Sequence, residues 1–84
     1  MKASTMAIEN ATKQAHKKIG SIITDNRRGY LTDLRTSQML FSIRNGIAGL
    51  YQKAETKKAK ELINEVVSRC EYHIRMLGGE VAND

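Results

Sequence analysis

Residues 50–63, LYQKAETKKAKELI, decide how this chain folds. Upstream, Met39, Leu40, Ile43, Ile47, Leu50, Tyr51 and Ala54 recur at the three- and four-residue steps of one helix face. Continuing that stripe demands apolar residues near 58 and 61, but Lys58 and Glu61 stand there. A second stripe starts at Ala59 and runs through Leu62, Ile63, Val66, Val67, Cys70, Ile74 and Leu77. The slip predicts a turn near Glu55 and Thr56, with Thr56 as the N-cap of a new helix. A single rod over 32–77 is the alternative, because neither Gly nor Pro marks the turn.

Working outward, Thr32 is an N-cap for the upstream helix, with Asp33 in the first turn where the helix dipole favours negative charge. Gly46 and Gly49 fall inside this helix, where each costs ~1 kcal/mol relative to alanine. They read as tight packing against a neighbouring helix or a kink, with close approach of a ligand as the alternative. Before it, residues 24–30, TDNRRGY, are rich in turn formers and read as a loop with Arg27 and Arg28 at its tip. The first helix starts at a Ser4 or Thr5 cap and carries Ile8, Ala11, Ala15, Ile19 and Ile22 on one stripe, with Ile23 beside them. The last helix ends at Gly78 and Gly79, with Arg75 in its final turn, and residues 80–84 are expected to fray. Glu65 with Arg69 and Glu71 with Arg75 are spaced as favourable i,i+4 pairs on its surface. The reading is all-α: one domain over 1–84, with helices at about 5–24, 32–54 and 57–77, the second and third forming an antiparallel hairpin.

A chain of 84 residues has a marginal core, and small domains usually draw on disulfides, a metal or self-association. The one cysteine excludes an internal disulfide, and His16, His73 and Cys70 do not make a four-ligand zinc site. A homo-oligomer is therefore expected, with a well-packed helical monomer as the alternative. No apolar run reaches the ~20 residues of a membrane span. No start reads as a signal peptide, and the lone cysteine suits a reducing compartment, so a cytoplasmic protein is expected.

No residue pattern names a reaction. There is no phosphate loop, no Cys-x-x-Cys and no His-x-x-x-His. Cys70 sits on the apolar stripe between Val66 and Ile74 and reads as a buried, inert thiol. His73 reads as a boundary residue, and His16 as solvated. The expectation is a non-enzyme with no cofactor and no metal.

Binding is what the charge supports. Residues 1–60 carry +8 and residues 61–84 carry −3, giving the net +5. Such an uneven field steers polyanions or acidic proteins. Three basic groups stand out: Lys13, Lys17 and Lys18; Arg27 and Arg28; and Lys53, Lys57, Lys58 and Lys60. Tyr30, next to Arg28 and Gly29, is placed to stack on an unpaired base. RNA is expected before duplex DNA, because no helix reads as a base-reading helix. The competing class is a regulator of a host or phage protein, bound through a helix face. Met39, Phe41, Ile43, Ile47, Leu50 and Tyr51 form its candidate interface, because Phe41 beside Leu40 makes the second helix apolar over a wide arc. A third idea is an oligomeric sponge that traps an anionic nucleotide between Lys and Tyr side chains.

A short, helical, lysine-rich chain without catalytic motifs resembles the small accessory proteins of T4-like phages. That resemblance implies an anti-defence role, such as an RNA-dependent inhibitor of a host toxin. It equally implies lysis inhibition through the cytoplasmic part of a holin.

Overall fold

The structure is a computed structural model that describes residues 4–78. It is all-helical, with three α-helices and no strand among the described residues. They are α1 (Thr5–Arg27), α2 (Asp33–Ala48) and α3 (Lys57–Met76), with a 3₁₀ turn at Tyr51–Lys53. Each helix starts on a hydroxyl cap. Ser4 Oγ accepts from the Ala7 N–H, Thr32 Oγ1 from the Arg35 N–H, and Thr56 Oγ1 from the Ala59 N–H, each at 3.1 Å. Such caps satisfy donors that the first turn leaves without partners.

Helix α1 runs through Asp25, Asn26 and Arg27, so these residues do not belong to the loop expected over 24–30. The stop is set by Gly29 at φ 82°, a left-handed conformation that costs glycine little. Gly29 N–H bonds Asn26 C=O at 3.0 Å, and Tyr30 N–H reaches back to Asp25 C=O at 2.8 Å. Asn26 Nδ2 then donates to Leu31 C=O and Asp33 Oδ1, tying the end of α1 to the start of α2. Turn propensity at Asp25 and Asn26 thus serves a helix end.

Helix α2 ends at Ala48, not near 54 as its periodicity predicted. Gly49 caps it, and i→i+3 bonds carry the chain from Leu50 through Ala54. Ala54 and Thr56 are extended, which breaks the backbone between α2 and α3 and excludes the single rod. Nothing lies within 4 Å of a Cβ built on Gly46, so tight packing does not explain that glycine within one chain.

The core collects Ile8, Ile19, Leu40, Ile63, Val66, Cys70 and Ile74, all nearly or fully buried. The stripes of α1 and α3 face inward as the sequence predicts. Two buried threonines join them and satisfy their hydroxyls within their own helices: Thr12 donates to Ile8 C=O and Thr36 to Thr32 C=O. Only Thr36, Leu40 and Ile47 of α2 are buried, while Met39, Phe41, Ile43 and Leu50 pack half-buried against the core. Helix α2 packs on both α1 and α3, which accounts for its wide apolar arc without a second chain.

Helices α1 and α3 lie side by side in the same direction. Thr5 Oγ1 meets Thr56 Oγ1 at 2.9 Å, and further along both helices Arg69 meets His16 at 2.9 Å. Glu71 does not pair with Arg75; it takes Arg44 of α2, whose Nη2 and Nε lie 2.9 and 3.0 Å from one carboxylate oxygen. Glu65 likewise makes no ion pair with Arg69. A bond between helices wins because Arg44 and Glu71 are only 18% and 19% exposed, where water competes less than on the open face. Glu71→Gln should lower stability by about 1–2 kcal/mol, whereas Arg75→Ala should change it by about 0.5 kcal/mol or less. Urea denaturation of the two variants measures the difference.

Candidate nucleic-acid interface

Lys13, Lys17 and Arg28 recur near one outward face of α1, which a 3.6-residue period carries over about 22 Å. Arg27 lies beside Arg28 at the end of the helix, and all four are exposed. The salt bridges among the described residues use Arg44 and Lys58, so no carboxylate pairs with these four. Tyr30 follows at 74% exposed, its ring available beside Arg28. The hydrogen bonds of Gly29 and Tyr30 to the helix end hold this residue in place.

The expected basic residues do not form one patch. Lys53, Lys57, Lys58 and Lys60 lie at the starting end of α1 and α3, where Thr5 touches Thr56. The length of α1 sets them about 30 Å from Arg27 and Arg28. Two of the four are engaged locally: Lys58 Nζ bridges Glu9 at 3.0 Å, and Lys60 Nζ sits 5.6 Å from the Tyr51 ring centroid. Lys13 and Lys58 meet along a groove of about 430 Å³ between α1 and α3, but Glu9 and Glu65 line the same groove. Interleaved carboxylates and the lack of a tyrosine there leave the groove without the character of an anionic-nucleotide pocket. Lys18 stands apart, at the α1–α2 seam with Ser21, Ile22, Met39, Ser42 and Ile43.

The candidate protein interface is largely used within the chain. Ile47 is buried, and Met39, Phe41, Ile43 and Leu50 are half-buried against the core. Tyr51 alone of the six is exposed, and Lys60 covers its ring. Phe41 lies under the Arg44 guanidinium, 6.0 Å from its centroid. The large apolar side chains that do face outward are others, Tyr30, Leu34, Tyr72 and Met76 among them.

Sequence reading missed the seam between α1 and α3. His16 is half-buried, not solvated, and Arg69 spans the seam to reach it. Arg69 Nη1 donates to His16 Nδ1 at 2.9 Å and to His16 C=O at 3.2 Å. An arginine only donates, so Nδ1 accepts, and the proton of the neutral ring is on Nε2. His73, beside this seam, has its pKa lowered below 6.5 by burial first, then by the positive charges of Arg69 and Arg27. No periodic signal marked this pair: a Cβ on Gly20 would lie 3.9 Å from Arg69 Nη2, an ordinary contact, so the glycine is not required by it.

The depressed His73 pKa has a consequence for stability. The unfolded ring binds a proton near pH 6.5, and the folded ring only at lower pH. Its contribution is therefore present above pH 6.5 and lost as pH falls from there through the folded value. Thermal melts should show Tm falling with pH in that window, and His73→Gln should flatten the dependence. Cys70 is fully buried; burial pushes its thiol up to about 11, against the smaller opposing pull of Arg69 and Arg44. Such a thiol stays protonated at neutral pH and is a core side chain. No protein-family model, curated protein or solved structure matches the chain.

Proposed function

We propose that this chain is a non-enzymatic nucleic-acid-binding protein that takes single-stranded RNA on the outward face of α1. The observation that carries the reading is the run of exposed Lys13, Lys17, Arg27 and Arg28 with no carboxylate partner, ending at the exposed Tyr30 ring. Unpaired cations release counterions from a phosphate backbone, and an aromatic face accepts any base. A flexible single strand can follow a straight stripe on a helix, whereas a duplex presents its phosphates on a fixed, wider curve. In this reading α2 and α3 form an antiparallel hairpin that serves as scaffold, fastened by the Arg44–Glu71 bridge. On the resemblance to T4-like phage accessory proteins, such binding serves an RNA-dependent inhibitor of a host defence toxin. Fluorescence anisotropy with labelled RNA and with duplex DNA of equal length tests the reading. Tighter binding of the single strand is expected, and no binding of RNA at low salt would overturn it.

A second reading is favoured by a separate observation. Ala11, Ala15, Ile43, Gly46 and Ile47 line an apolar groove at the α1–α2 seam, and the space over Gly46 is open. Gln14 and Lys18 also line it, its volume is about 220 Å³, and in this reading a protein partner or a second copy docks an apolar side chain there. Pull-down with and without nuclease separates the readings: a stoichiometric protein that survives nuclease supports this one, and release by nuclease supports RNA. Light scattering reports a homo-oligomer directly.

A further inference from the structure

The groove at the α1–α2 seam continues past Ile43. Two hollows lie along it, of about 220 and about 320 Å³, and Lys18 and Ile43 line both. Gly46 and Ile47 belong to the first, and Ile22 and Met39 to the second. Lys18 is the one charged residue lining either hollow, and it has no carboxylate partner among the described residues. Gly46 weakens α2 by ~1 kcal/mol relative to alanine. Nothing in the chain comes within 4 Å of a Cβ built there, so the space it leaves is open to another surface.

Helix α3 carries a matching surface on its outward side. Glu61, Glu65, Tyr72 and Met76 follow at steps of four, seven and four residues, which a 3.6-residue period brings into one narrow arc. All four are exposed, Tyr72 at 58% and Met76 at 69%. These two apolar groups stand one turn apart, about 6 Å along the axis. The Tyr72 ring meets the His73 ring edge-on at 5.3 Å. Glu61 and Glu65 enter no ion pair among the described residues. Because α3 packs on both α1 and α2, this arc lies across the bundle from the α1–α2 groove. A molecule therefore cannot fill its own groove, and two joined arc to groove leave one arc and one groove free.

We propose that the outward arc of α3 from a second copy occupies the α1–α2 groove, and that the chain assembles head to tail through this contact. The occupant rests on the groove reading, in which a protein surface docks there. Tyr72 and Met76 fill the two hollows on either side of Ile43, Glu65 pairs with Lys18, and Gly46 admits the incoming helix closely. Charge selects the arc. The groove belongs to the segment at +8 and the arc to the segment at −3. Tyr30 and Leu34 are also exposed, but they adjoin Arg28 and Arg35, and like charge disfavours them at Lys18. A head-to-tail contact propagates into a ring or an open chain.

Sedimentation velocity over a concentration series tests this. The unmodified chain should grow past the dimer mass as concentration rises. Gly46→Glu fills the groove and sets a carboxylate beside Lys18; Tyr72→Ser with Met76→Ser strips the arc. Each should weaken association by at least about tenfold. All three positions are exposed, so circular dichroism should match the parent's. An equal mixture of the two variants retains one sound groove and one sound arc, and should form a heterodimer and nothing larger. Variants that stay monomeric when mixed would overturn the head-to-tail contact. Assembly that Gly46→Glu leaves intact would remove the groove reading along with its occupant. A chain that stays monomeric at millimolar concentration would overturn self-assembly; the groove reading would then stand only if a nuclease-resistant protein is captured by the unmodified chain and lost with Gly46→Glu.

Discussion

Leu40→Ala should destabilise the protein by about 3 kcal/mol, the middle of the range for a buried leucine that leaves a cavity. Leu40 is fully buried. It matters more than its size suggests because α2 has few inward anchors: its other buried residues are Thr36 and Ile47, and Thr36 is held by a bond within its own helix. Losing Leu40 therefore loosens α2 from both α1 and α3. A domain of this size has a total stability of about 5 kcal/mol or somewhat more, so the variant should keep only about 2 kcal/mol and unfold at a much lower urea concentration. Leu34→Ala is the control, since Leu34 is 70% exposed and its loss should cost about 0.5 kcal/mol or less. Urea midpoints compare the two. Equal costs would mean that α2 does not pack as described.

Replacing Lys13, Lys17, Arg27 and Arg28 together by glutamine should weaken binding of single-stranded RNA by about a hundredfold or more at low salt. Each lysine or arginine that neutralises a phosphate on a single strand contributes ~0.7 to the slope of log affinity against log salt, so four contribute about 3. All four are exposed and unpaired, so the variant should fold normally, and its circular dichroism should match the parent's. Lys53→Gln with Lys57→Gln is the informative control. These residues are also exposed, but lie at the far end of α1. A short oligonucleotide that occupies the Arg27–Arg28 end should lose little affinity from the control pair. An equal loss from both sets would mean that net charge, not a face of α1, sets the binding.

The helices were legible where the sequence repeats a period: most of the stripes of α1 and α3 face the core, although Thr12 joins them and Leu62 lines a groove instead. The slip between Leu50 and Ala59 located the break that separates α2 from α3. Helix ends were less legible, because a cap is a competition: Gly29 dictates the end of α1, and Asp25 and Asn26 join the helix despite their turn propensity. Charge pairing was the least legible. Spacing along α3 suggests Glu65–Arg69 and Glu71–Arg75, but Arg69 and Glu71 each reach across to another helix, which no one-dimensional spacing encodes. The candidate site shows the same limit. Lysines and arginines can be counted in sequence, yet only the fold shows that Lys53 and Lys57 lie at the opposite end of α1 from Arg27 and Arg28, and that Lys13 shares a groove with Lys58.

The most direct test is the salt dependence of oligouridylate binding to the unmodified chain, read as log affinity against log sodium chloride concentration. A steep linear fall is predicted, becoming shallower by about 3 when Lys13, Lys17, Arg27 and Arg28 are replaced. Absence of binding at low salt, or a slope that the four substitutions leave unchanged, would contradict RNA recognition by the α1 face.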